Sequence, residues 1–172
     1  LLESQGKYDA ALPYYTEALE TRRRTLGDEH PATLKSINNM GLLLWGQGKY
    51  DEALPYYTEA LEAYRPTLGD EHPATLTAIN SMGALLNIQG KYDAALPYYT
   101  EALQTCRRTL GDEHPDTLAS IHNMGILLDS QGKYDAALPY FTEALETYRR
   151  TLGDEHPDTL NSINNMGSLL ES

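Results

Sequence analysis

Apolar residues in this chain recur at spacings of three and four, stop at a glycine, and then start again. Leu34, Ile37, Met40, Gly41 and Leu44 form one such stripe, the single face of a helix. Tyr50, Ala53, Leu54, Tyr57, Ala60 and Leu61 form a second at the same helical spacing. Pro31 suits the opening turn of the first helix, where its missing N–H costs nothing. Gly46 and Gly48 flank Gln47 where that helix should end. Arg22, Arg23 and Arg24, Arg107 and Arg108, and Arg149 and Arg150 gather where the second stretch closes, at the negative end of a helix dipole. The pattern predicts a helical hairpin.

That hairpin repeats every 42 residues. Gln-Gly-Lys-Tyr begins at Gln5, Gln47, Gln89 and Gln131, and Leu-Gly-Asp-Glu-His-Pro at Leu26, Leu68, Leu110 and Leu152. Four periods fill residues 1–168, and residues 169–172 repeat residues 1–4. The expectation is one all-α repeat array over residues 1–172, of about eight helices, cut from a longer array. It would start in the tail of a first helix, with a second helix from about Lys7. It would end on an unpaired first helix at about Pro157 to Leu170.

Small residues and prolines refine this picture. Gly41, Gly83, Gly125 and Gly167 sit in mid-helix, at a cost of roughly 1 kcal/mol each relative to alanine. With Ala53 and Ala60 on the facing stripe, they predict closely packed backbones. Pro13, Pro55, Pro97 and Pro139 lie about two turns into the second helix, where a slight bend or a freed carbonyl is expected rather than a break. Pro66 replaces the arginine found at Arg24, Arg108 and Arg150, and predicts an early end near Arg65.

Composition narrows the function classes. Valine is absent while Ala, Leu and Glu abound, which favours helix over sheet. No apolar run approaches about 18 residues and mean hydropathy is -0.50, which argues against a membrane. A formal charge of -12, from 25 acidic and 13 basic residues, opposes a phosphate backbone and argues against nucleic acid as partner. Cys106 stands alone, which excludes an internal disulfide and a multi-cysteine metal site.

Residues 38–61, Asn-Asn-Met-Gly-Leu-Leu-Leu-Trp-Gly-Gln-Gly-Lys-Tyr-Asp-Glu-Ala-Leu-Pro-Tyr-Tyr-Thr-Glu-Ala-Leu, resemble the tetratricopeptide repeat. Met40, Gly41, Gly48, Tyr50, Ala53, Tyr57 and Ala60 match the spacing of that family's signature. The 42-residue period and the Leu-Gly-Asp-Glu-His-Pro turn are similar to the kinesin light chain-like variety, although methionine stands where leucine is usual. The resemblance implies a right-handed α-solenoid of stacked antiparallel helical hairpins, a tetratricopeptide-like superhelix. It also implies a binding scaffold in the cytoplasm rather than an enzyme; fold alone does not name the partner.

Comparing the four periods separates constant positions from variable ones. In the first helix the varying columns are Lys35/Thr77/Ala119/Asn161, Leu42/Ala84/Ile126/Ser168, Trp45/Asn87/Asp129/Glu171 and Gly46/Ile88/Ser130/Ser172. Asn38/Asn80/His122/Asn164 and Asn39/Ser81/Asn123/Asn165 lie between them, and together they make one helix face. Exposed columns drift in any protein, so plain solvation is one reading. The other is a partner-binding groove, since the resemblance implies that this face lines the concave surface. Asparagine offers donor and acceptor to an extended main chain. Leu42, Trp45, Ile88 and Ile126 offer apolar contacts, with Trp45 either an anchor or a packing residue. Relatives that grip a terminal carboxylate use several basic residues on this face. Lys35 stands alone here, against Asp129 and Glu171, so a neutral to basic protein or peptide segment is expected.

Other residues look chemical without forming a site. Asp28, Glu29 and His30 recur in every period, but equivalents in a stacked array lie about two helix diameters of ~10 Å apart, too far for a shared metal. They are expected to cap the next helix. Phe141 replaces Tyr15, Tyr57 and Tyr99, so the ring matters in that column rather than the hydroxyl. No phosphate loop or catalytic triad is present, and no cofactor is expected. Two functions remain open: a module that holds an extended peptide on its concave face, and a spacer whose uncapped ends stack head to tail.

Overall fold

The computed structural model describes residues 8–171, and these form helices joined by tight turns, with no strand among them. The elements are α1 (Tyr8–Leu26), α2 (Pro31–Gly46), α3 (Tyr50–Leu68), α4 (Pro73–Ile88), α5 (Tyr92–Leu110), α6 (Pro115–Ser130), α7 (Tyr134–Leu152) and α8 (Pro157–Leu170). Even-numbered helices are the first helices of the sequence pattern and odd-numbered ones the second. The expected first-helix tail at residues 1–4, the Gln5 to Lys7 turn and Ser172 lie outside the described residues.

Contacts divide the chain into two compact units, residues 1–85 and 86–172, with the boundary inside α4. In the first unit α2 packs on α1 and α3; in the second α6 packs on α5 and α7, and α8 packs on α7. Each is built from antiparallel hairpins whose constant apolar stripes face inward. Leu34, Ile37, Met40 and Leu44 of α2 are buried, as are Leu118, Ile121, Met124 and Leu127 of α6.

The turns follow from a few residues. His30, His114 and His156 are N-caps, each Nδ1 accepting from the backbone N–H two residues on, at 3.1–3.2 Å. His72 accepts from the Ala74 N–H in the same way at 3.1 Å. The aspartates two residues before these histidines do not cap. They reach back to the arginine near the end of the preceding helix: Asp28 to Arg23, Asp70 to Arg65, Asp112 to Arg107 and Asp154 to Arg149. At the end of α2 the Gly48 N–H donates to Trp45 and the Lys49 N–H to Leu44, a closure that needs the φ of +73° that glycine supplies.

Pro13, Pro55, Pro97 and Pro139 all lie inside unbroken helices. Pro66 does not shorten its helix either: α3 runs to Leu68 and has the same 19 residues as α1, α5 and α7. Its last turn is held from both sides of the proline. Thr67 Oγ1 donates to Ala63 O at 2.6 Å, the Gly69 N–H donates to Arg65 O at 3.0 Å, and Arg65 pairs with Asp70 at 2.6 Å.

Gly41 and Gly125 bring helices close, and what each meets first is an aromatic ring. A Cβ on Gly41 would lie 2.8 Å from Tyr57 Cε1, and one on Gly125 would lie 3.0 Å from Phe141 Cε1. Tyr57 is fully buried there, and its phenol is pushed up to about 12 by burial. Tyr99 behaves alike, also at about 12.

Candidate functional site

In the first unit α2 presents Lys35 and Leu42 to solvent, with Asn38 and Asn39 half-buried between them. Trp45 is half-buried as well, its ring edge-on to Tyr50 (centroids 5.7 Å apart) and to Tyr57 (6.4 Å). The indole therefore packs against α3 while keeping part of its surface in water. On α4, Thr77 is exposed and Asn80 and Ser81 are half-buried. The Oδ1 atoms of Asn38 and Asn80 are buried without a hydrogen-bond partner.

In the second unit the last turn of α4 carries half-buried Asn87 and exposed Ile88. On α6, His122, Asn123, Ile126 and Asp129 are half-buried. Ile126 packs on the core cluster of Ala137, Phe141 and Leu169, so much of its surface is already used. Asn165 of α8 is half-buried and Asn164 is exposed.

A cavity of about 170 Å³ opens between α6, α7 and α8, lined by His122, Asn123, Tyr148, Asp158, Ser162 and Asn165, among others. Three of these were candidate site residues; Tyr148, Asp158 and Ser162 were not, because they sit on other columns and meet only when the helices pack. Asn165 Nδ2 lies 3.4 Å from His122 Nε2, and the His122 ring stands edge-on to Phe141 at 5.7 Å. Burial lowers the His122 pKa below the usual histidine value. Burial raises the Tyr148 phenol, and the Asp158 charge adds to that shift.

Two wider hollows lie on second helices instead: about 680 Å³ along α5, past Leu96, Pro97 and Thr100, and about 500 Å³ along α7, past Leu138, Pro139 and Thr142. They repeat at equivalent positions of the period and are lined by Pro97 and Pro139, which lie inside these unbroken helices.

The tetratricopeptide repeat family model matches residues 1–65, 36–104, 75–150 and 130–172, which together span the chain. The chain belongs to the tetratricopeptide repeat family. No curated protein sequence matches it. Among solved structures it is similar to a Podosopora anserina protein of kinesin light chain type with nearly identical TPR-like repeats. That match has a TM-score of 0.85 and 22% identity and covers 99% of this chain and 81% of the other. It is also similar to BtubC (BKLC) from P. vanneervenii, with a TM-score of 0.85, 24% identity and coverage of 99% and 68%. MamA from Desulfovibrio magneticus RS-1 is more distant, with a TM-score of 0.60, 16% identity and coverage of 99% and 88%. At these identities the likeness is one of fold. Tetratricopeptide repeats generally mediate protein–protein interaction or act as scaffolds.

In this tetratricopeptide chain no three His, Cys, Asp or Glu side chains converge on a metal-sized gap among the described residues. No described helix is long and apolar enough to cross a membrane. Cys106 is a free, fully buried thiol whose pKa burial raises.

His122 should give the second unit a pH-dependent stability. Its pKa in the fold lies below the unfolded value, so folding favours the neutral ring. Stability is therefore lost as pH falls below about 6.5 toward the lowered folded value. His122→Asn, which copies Asn38, Asn80 and Asn164, should flatten that part of the profile. Urea midpoints measured between pH 7 and pH 5 check this.

Proposed function

We propose that this chain is a protein-interaction scaffold that holds an extended, neutral to basic peptide segment along the concave face expected of its family. The four periods are read as one continuous array over residues 1–172. The observation that carries the proposal is the contrast within the first helices α2, α4 and α6. One stripe is constant and buried, while the opposite face is variable, polar and open at Lys35 and Leu42 in the first unit and around His122 and Asn165 in the second. Asn38 and Asn80 hold unused acceptor capacity on that face. Trp45 adds an aromatic surface already fixed by Tyr50 and Tyr57, so little rotamer freedom is lost when a partner packs on it. The net charge of -12 favours a basic partner over an acidic one. The proposed setting is the cytoplasm, in keeping with the free thiol of Cys106.

The test is a peptide selected for binding from a random library and measured against Leu42→Ala and Trp45→Asn. These substitutions copy Ala84 and Asn87 from the same columns, so the fold should survive both. Together they should weaken binding by about tenfold or more, the effect of losing one anchor. Unchanged affinity with an unchanged melting temperature contradicts the groove.

A second reading rests on α8. Leu160 and Leu170 are 49% and 71% exposed, whereas Leu118, the counterpart of Leu160, is 2% exposed beneath its neighbours. Gly167 has open space where Gly125 meets Phe141. The α1 sequence differs from that of α7, which covers α6, only at Tyr15 and Arg22. On this reading α1 of a second copy covers α8 as α7 covers α6, and copies stack head to tail. Residues 1–4 repeat residues 169–172, so in such a stack the two sets compete for one place in the period. Light scattering should show mass rising with concentration; 19.2 kDa at every concentration contradicts the stacking.

A further inference from the structure

The cavity between α6, α7 and α8 is not a simple product of the repeat. Its Ser162 is 2% exposed, and its Oγ has no hydrogen-bond partner. Serines in the same column are satisfied. Ser36 accepts from Arg22, and Ser120 donates to the Asp116 carbonyl at 2.9 Å. A buried hydroxyl left unpaired costs free energy unless something else completes it, and this one lines an open cavity.

The surrounding groups agree on what would complete it. Asn165 Nδ2 faces His122 Nε2, so the imidazole nitrogen is the acceptor of that pair. The Tyr148 hydroxyl accepts as well as donates, and the Asp158 carboxylate only accepts. Asp158 is the one formal charge in the lining, and no cation faces it across the cavity. Its contact with His156 Nδ1, at 3.7 Å, is on its own loop and leaves its side chain 56% exposed. The oxygens of Ser162 and Tyr148 and the negative charge of Asp158 therefore border a space of about 170 Å³, the room of roughly five or six waters at ~30 Å³ each.

The corresponding positions of the first unit differ in charge. Lys35 stands where Ala119 stands, Ala74 where Asp158 stands, and Ala78 where Ser162 stands. The first unit thus carries a cation and lacks the acid and the hydroxyl, a charge pattern that repels what the second attracts.

We propose that the cavity formed by His122, Tyr148, Asp158, Ser162 and Asn165 is a side-chain pocket that takes one protonated lysine or arginine side chain of a bound peptide. This rests on the groove reading and adds its register: a basic residue over α6 and α8, and none over Lys35. The ammonium or guanidinium hydrogens satisfy Ser162 Oγ and Tyr148 while pairing with Asp158, and the alkyl stem lies over Ala119.

Labelled protein titrated with n-butylammonium chloride, and separately with sodium butyrate at equal ionic strength, tests the pocket by NMR. The cation should give saturable shifts at Asp158, Ser162 and Asn165, and butyrate should not. Asp158→Ala with Ser162→Ala copies Ala74 and Ala78 and so should keep the fold. The pair should weaken ammonium binding by about tenfold, the value of one charge-assisted hydrogen bond. Equal shifts with butyrate, or shifts unchanged in the double variant, overturn the pocket. If ammonium binds as stated while the selected peptide ignores Leu42 and Trp45, the groove fails and the pocket stands. If that peptide depends on Leu42 and Trp45 but ammonium gives no shifts, the pocket fails and the groove stands.

Discussion

Phe141→Ala should destabilise the second unit by about 3–5 kcal/mol, the range for removing a fully packed aromatic ring. Phe141 is 2% exposed and packs with Ala137 and Leu169, against which Ile126, Leu128 and Met166 also lie. It fills the space that Gly125 leaves open and stands edge-on to His122. Its removal therefore opens a cavity between α6 and α7 and unseats the imidazole beside the candidate pocket. Phe141→Tyr is the informative control, because Tyr57 and Tyr99 occupy the same column. It should cost about 1–3 kcal/mol, since the Tyr57 hydroxyl is buried without a partner and a new one at 141 would meet the same fate. Urea unfolding gives the equilibrium loss. Hydrogen exchange should show it concentrated in α6, α7 and α8, because repeat arrays couple mainly between neighbours.

Gly41→Leu and Gly167→Leu should act in opposite directions although both alter the same column. At Gly41 the first carbon already comes within 2.8 Å of the Tyr57 ring. That ring is fully buried and held edge-on by Trp45, so it has nowhere to retreat. The expected loss is about 3 kcal/mol or more from overpacking, with the helix-propensity gain too small to offset it. At Gly167 nothing lies within 4 Å, and only the propensity term remains. That substitution should stabilise α8 by about 0.5–1 kcal/mol. Two urea titrations, compared at unchanged slope, check both signs.

The contrast shows which layer of the fold a sequence carries. The stripe of Leu34, Ile37, Met40 and Leu44 shows a buried face on its own, because helical spacing needs no knowledge of neighbours. The bounds of α8, Pro157–Leu170, were legible for the same reason: proline marks the start, and the apolar period runs to Leu170. The constant glycines announced a close approach but not its partner. Which ring meets Gly41 depends on how α3 is rotated against α2, and no pattern within one helix contains that. Pro66 misled because local propensity gave way to a last turn clamped by Thr67, Gly69 and Asp70. The histidine caps were only partly legible. Aspartate is the stronger capping residue in general, yet here the glycine turn aims it back at the preceding arginine.

The candidate site divides along the same line. The variable face of α2 was readable from offsets along one helix, including the exposed positions of Lys35 and Leu42. The pocket was not, because His122, Tyr148 and Ser162 come from three helices. A trace of it was present in the sequence. Ser36 meets Arg22 and Ser120 meets Cys106, whereas Tyr64 has Ala78 at the matching position. Tyr148 with Ser162 breaks that pairing, and the broken pairing is where the hydroxyl is left unmatched.

Mapping a selected peptide on the isotopically labelled chain by NMR tests the central claim most directly. Shifts and intermolecular contacts are expected at Lys35, Leu42 and Trp45 in the first unit and at His122, Asn123 and Asn165 in the second. Contacts confined to Leu96, Pro97 and Thr100 of α5, or to Leu138, Pro139 and Thr142 of α7, would place the partner on the second helices and contradict it.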